Sequence, residues 1–197
     1  MRGSFGAALA VALLAAGAPA AVAAPRPACV AYTDATGDSG LLGVTAFDDP
    51  ALDVTRVRFP MTARAWVAEV TLARFADRGR YLPGVRVEVA FPVAPERKLS
   101  VFWRTSPARD VERPVFYQQG ILLNGLYMSG DVTARVTGDT VVLTTTPAAL
   151  SAVAGRRLDG LRPPEVVVKA NGHYLAGAET WDEARAPVPF VIGRACR

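Results

Sequence analysis

Period-two alternation of apolar and polar residues constrains this chain more than any other feature. Val85, Val87, Val89, Phe91 and Val93 stand two apart, with Arg86 and Glu88 between them. Successive side chains of a strand point to opposite faces, so this pattern predicts a half-buried strand. Trp66, Ala68, Val70 and Leu72 repeat it against Val67, Glu69 and Thr71. Leu52, Val54, Val57 and Phe59 keep the rhythm with one slip, which predicts a bulge. Leu99, Val101 and Trp103 form another set, and Val166 with Val168 a further one. Val132, Ala134 and Val136 lead through Gly138-Asp139 to Val141, Leu143 and Thr145. That stretch predicts a hairpin, with Gly138 able to take positive φ. Val188, Phe190 and Ile192 are expected to make the last strand, at a sheet edge because Pro187 and Pro189 flank Val188.

One segment reads as helix. Thr146 can cap it, Pro147 suits its first position and Gly155 can end it, so a two-turn helix is expected over 147–154. Strands alternating with helices are absent, which argues against a parallel sheet. The expected fold is all-β, an antiparallel β-sandwich of jelly-roll or Ig-like type with that one short helix. Ser106 to Pro114 is expected to be a long surface loop, not a domain boundary.

The chain has 197 residues, one His, two Cys and a formal charge of +4. One His and two Cys leave no donor set for a zinc finger or an iron–sulfur cluster. Arg2 precedes an apolar run from Phe5 to Ala18, and Pro19 follows. The run is shorter than a membrane span and ends in small residues, the pattern of a signal peptide. Residues 1–23 are therefore expected to be removed after Ala23, leaving 24–197 as one secreted domain. Cys29 is a poor lipid-attachment site, because Arg26 stands where a lipobox needs an aliphatic residue. Cleavage removes only Arg2 among the charges, so +4 becomes +3. No block of like charges remains to attract nucleic acid. An exported chain with two Cys is expected to pair them, and Cys29–Cys196 would clasp the two ends of the domain. A monomer without a transmembrane helix is the expected state.

Gly37-Asp38-Ser39-Gly40 matches the serine motif of trypsin-like proteases, but those place their His upstream of the Ser. Here His173 follows Ser39 by more than a hundred residues. GDSL-type hydrolases fit the position better, yet they carry Asp three residues before the His, where this chain has Ala170. A secreted hydrolase using Ser39 and His173 is thus an alternative without an orienting acid. The other reading puts Gly37–Gly40 in a tight turn and His173 in a turn around Asn171-Gly172. Asp34, Asp38 and Asp53 are candidate calcium ligands, because calcium takes carboxylate oxygens from loops. They serve equally as solvated turn residues, as do Glu179, Asp182 and Glu183. No cofactor other than calcium is expected.

Trp66 and Trp103 are in phase with aliphatic neighbours and belong to the expected core. Tyr117, Tyr127, Tyr174 and Trp181 lie in less regular segments and are candidates for ligand binding through their ring faces. Trp181 has a second possible role, pinning the C-terminal segment to the core.

Tyr32-Thr33-Asp34 through Ala51-Leu52-Asp53-Val54 resembles the opening of DOMON-like and family 9 carbohydrate-module-like sandwiches. The Thr146-Pro147-Ala148-Ala149-Leu150 helix resembles their Pro-initiated connector, and the whole is similar to small secreted proteins of actinobacteria. The resemblance implies a jelly-roll-like sandwich with a sugar, haem or calcium ligand. For haem, only His173, Met61 and Met128 offer axial donors. The fold, and not the ligand, is carried over from that resemblance; the expectation is a non-enzymatic secreted protein with a glycan as the favoured ligand, and a protein partner or a purely structural role as further alternatives.

Overall fold

A computed structural model describes residues 29–33, 40–41, 52–75, 85–104, 119–173 and 179–196. These residues form two antiparallel sheets and one helix. The smaller sheet has the order β1 (Cys29–Thr33), β3 (Val54–Phe59), β4 (Trp66–Leu72), β10 (Thr140–Thr145) and β9 (Thr133–Thr137). The larger has the order β2 (Gly40–Leu41), β12 (Glu179–Pro187), β11 (Glu165–His173), β5 (Arg86–Ala94), β6 (Arg97–Arg104), β7 (Gln119–Leu123) and β8 (Leu126–Ser129). The fold is the expected all-β sandwich.

The alternation explains the strands. Trp66, Ala68, Val70 and Leu72 all point inward and are buried, while Val67, Glu69 and Thr71 are half-buried outside. Val87, Val89 and Phe91 do the same from the facing sheet. The register between β3 and β4 shifts between Val54 and Arg56, where the apolar rhythm slips. Pro92 is tolerated inside β5 because the β11 ladder ends at Ala90, so no hydrogen bond is asked of its nitrogen.

The helix α1 (Pro147–Ala154) connects β10 to β11. Thr146 Oγ1 accepts from Ala149 N at 3.0 Å, Pro147 opens the first turn, and Gly155 closes it at φ 64°. Leu150 and Ala154, four apart, fall on one face and are fully buried in the core. Gly138, at φ 57°, turns β9 into β10.

Three expectations need correction. Residues 188–192 are not a strand, although Val188, Phe190 and Ile192 are buried. Proline at 187 and 189 removes two ladder donors, so the alternation survives as burial without sheet pairing. His173 does not sit in a turn: Asn171, Gly172 and His173 are the last residues of β11, and His173 is in register with Glu179. Asp182 is not solvated; it lies in β12 and is only 7% exposed. Its Oδ2 accepts from the Val54 backbone N–H at 2.7 Å, which ties the large sheet to the small one.

The cysteines pair as expected. Cys29 and Cys196 form a disulfide with Cα atoms 5.6 Å apart, joining β1 to the C-terminal segment. No described helix is long and apolar enough to cross a membrane.

Candidate functional site

Only some of the candidate residues are among those described. Asp34, Asp38, Ser39, Tyr117 and Tyr174 lie outside the described residues, as does the Ser106–Pro114 loop. Asp53 is fully buried, and its carbonyl accepts from Ala73 N at 2.8 Å. Trp181 is the register partner of Asn171 on β11 and of Gly40 on β2. Trp103 is half-buried against the core, 5.9 Å from the Phe75 ring. Tyr127 is the candidate that the structure places in a defined environment.

Tyr127 belongs to a hairpin of β7 and β8 that turns at Asn124-Gly125, both at positive φ (50° and 83°). Positive φ at both central residues matches the twist of a two-residue hairpin. The Tyr127 ring lies against Gly120 of β7. A Cβ at Gly120 would fall on that ring and stand 2.7 Å from the Ser129 carbonyl oxygen, so only glycine leaves the ring this place. The ring meets Phe102 edge-on, with centroids 6.5 Å apart and planes at 76°. Arg86 then covers Phe102, its Cζ 4.9 Å from the ring centroid. A guanidinium over a ring face is attracted by the ring quadrupole.

This strip lies on the side of the large sheet facing away from the core. Register sets it up. Glu183, Lys169, Glu88 and Phe102 align across β12, β11, β5 and β6. Asn171, Arg86 and Arg104 align one pleat away. Arg86 donates to Glu88 at 2.6 Å. Two arginines face each other directly, an unfavourable cross-strand pair on its own. Burial, and then the Arg86 charge, lower the Arg104 pKa. The face thus offers guanidinium donors, carboxylate and amide acceptors, and a half-buried phenol ring within a few residues.

At the rim, Glu183 is held by Lys169 and by Arg185, whose Nε donates at 2.6 Å. Burial pushes the Glu183 carboxyl up, but the hydrogen bonds and charges of Lys169 and Arg185 outweigh it and hold the carboxyl below the usual range. A depressed carboxylate stabilises the fold above its unfolded pKa, about 4.3, and loses that contribution as pH falls through its folded value. Glu183→Gln is therefore expected to cost about 1 kcal/mol at neutral pH. Thermal unfolding followed against pH should show variant and parent converging in acid, below both pKa values. A difference that persists there would disprove the ionic origin.

The irregularity of the surrounding sequence pointed to Tyr127 but not to Arg86 or Phe102. Their cue was available: an aromatic and a cation on the polar phase of two strong strands. Among the described residues no three His, Cys, Asp or Glu side chains group as a metal site. No family model, curated protein or solved structure matches the chain.

Proposed function

We propose that this protein is exported and acts without catalysis, binding a glycan on the outer face of the seven-stranded sheet. The observation that carries this reading is the strip Arg86–Phe102–Tyr127, a guanidinium and two rings in contact on the sheet face turned away from the core, where Arg86 and Tyr127 are half-buried and Phe102 is buried. A sugar presents an apolar C–H face and a rim of hydroxyls. Tyr127 supplies a ring for the first, while Arg86, Glu88 and Asn171 supply donors and acceptors for the second. The disulfide supports export, because such bonds persist in oxidising compartments. Export through the 1–23 leader is checked by sequencing the N-terminus of the released protein, which should begin at Ala24.

Affinity electrophoresis against a panel of polysaccharides tests the binding. Retardation by at least one is expected, and Tyr127→Ala should weaken it about tenfold, the worth of a good ring contact. A panel with no retardation, or a Tyr127→Ala variant that binds as the parent does, would remove the proposal. Repeating the measurement with a chelator decides the calcium role of Asp34, Asp38 and Asp53. Elution as a single protomer in gel filtration is the expected state.

A further inference from the structure

A cleft of about 560 Å³ opens at the disulfide, and no described residue of its lining belongs to the Tyr127 strip. Its apolar lining comes from the Cys29–Cys196 bridge, Ala63, Pro189, Val191 and Ala195, above the buried Phe190. Arg162 and Arg194 also line it, and both are exposed. Neither makes an ion pair with a described residue. No acidic residue is among the described residues that line the cleft.

The walls are held by backbone bonds and not by loose side chains. Gly160 N donates to Ile192 O and Ile192 N to Leu161 O, both at 2.9 Å, so the segment bearing Arg162 is stitched to the C-terminal segment. Arg194 N donates to Val191 O at 3.1 Å, closing a turn with Gly193 at φ 76°. A Cβ at Gly193 would come 2.8 Å from Asp159 Oδ1. The bridge fixes the remaining side, since Cys196 is joined to β1. Two guanidinium groups are thus presented from two chain segments that cannot drift apart independently.

From this geometry we infer that the cleft is a second ligand site, for an amphipathic carboxylate with an apolar tail or ring. The volume falls within the range of small-molecule pockets. Guanidinium donors match a carboxylate in fork geometry, and the apolar lining rewards a body that leaves water.

Decanoate and decanol, equal in chain length and different in charge, are the probes. Isothermal titration of the disulfide-bonded protein is expected to give decanoate about ten times the affinity of decanol, the increment of one charge-assisted contact. Arg162→Gln combined with Arg194→Gln should abolish that preference while leaving the melting temperature within a degree or two, since both side chains are exposed. Tyr127→Ala should leave decanoate binding unchanged, so this site can fail or stand independently of glycan binding. Equal affinity for the two probes, no binding of either, or a preference kept by the double variant would overturn the inference.

Discussion

Replacing Cys29 and Cys196 together by serine is expected to lower the stability of this domain by up to about 5 kcal/mol. The bridge joins residues 167 apart, the first and the last of those described. Closing a loop of that length removes conformational freedom from the unfolded state, and the chain-entropy estimate is about 5 kcal/mol. The bridge also holds β1, which lies at the edge of the smaller sheet and pairs, among the described strands, with β3. Cys196 N also reaches Met61 O, but at 3.4 Å, and that bond does not hold β1. Domains of this size have about 5–15 kcal/mol in total, so the loss is a large share. Urea unfolding under non-reducing conditions measures it. The midpoint should fall and the m-value should rise, because an uncrosslinked unfolded chain exposes more surface. An unchanged midpoint would mean that the clasp adds nothing to folding.

The second large effect is expected at Trp66. Its side chain is fully buried and stands among three phenylalanines, with ring centroids 5.9 Å away at Phe59, 5.8 Å at Phe91 and 6.3 Å at Phe190. Phe59 comes from the same sheet, Phe91 from the facing one and Phe190 from the C-terminal segment. Trp66 therefore bridges three parts of the core. Trp66→Ala should cost about 3–5 kcal/mol through lost transfer energy and the cavity left behind. The indole Nε1 is buried and has no hydrogen-bond acceptor. Leaving a buried donor unpaired costs about 1–3 kcal/mol, so Trp66→Phe should be much milder than Trp66→Ala. Equal losses for the two variants, in denaturant unfolding at equal m-value, would contradict this account.

The two variants also mark which parts of the structure were legible. Trp66 was placed in the core from phase alone, because Ala68, Val70 and Leu72 repeat its spacing on a strand with a polar alternate face. The helix was legible for the same local reason: Thr146, Pro147 and Gly155 each suit one position, and each occupies it. β12 was harder. Its inward face is Asp182, Ala184 and Ala186, one carboxylate and two small residues, so it has almost no hydrophobic signal. Asp182 is tolerated there only because the Val54 N–H reaches it across the sheets. The β7–β8 hairpin was missed although Asn124-Gly125 is a strong turn pair, because Leu126 and Met128 are exposed and the alternation is blurred. The segment 188–192 erred the other way: burial alternates, but proline denies it a ladder.

The candidate site was less legible than the fold. Arg86 and Phe102 are on neighbouring strands, with Arg86 opposite Arg104 and Glu88 opposite Phe102. Their contact is a diagonal one across the ladder. A shift of one residue in that register would turn Phe102 toward the core and break the strip. The cleft is further still from sequence, since Arg162 and Arg194, 32 residues apart, are brought to it by backbone bonds between their segments.

Local chemistry, read from the sequence by itself, determined the all-β class, the positions of β4, β5, β9 and β10, the helix with both its caps, and the pairing of the two cysteines. Each depends on side-chain period, turn geometry or the count of available partners. Tertiary structure alone decided the sheet order, the burial of Asp182, the fate of residues 188–192 and the neighbours of Tyr127 and Arg162. These depend on which strand lies beside which and in what register, and that is settled by packing the two sheets as a whole, not by any segment on its own.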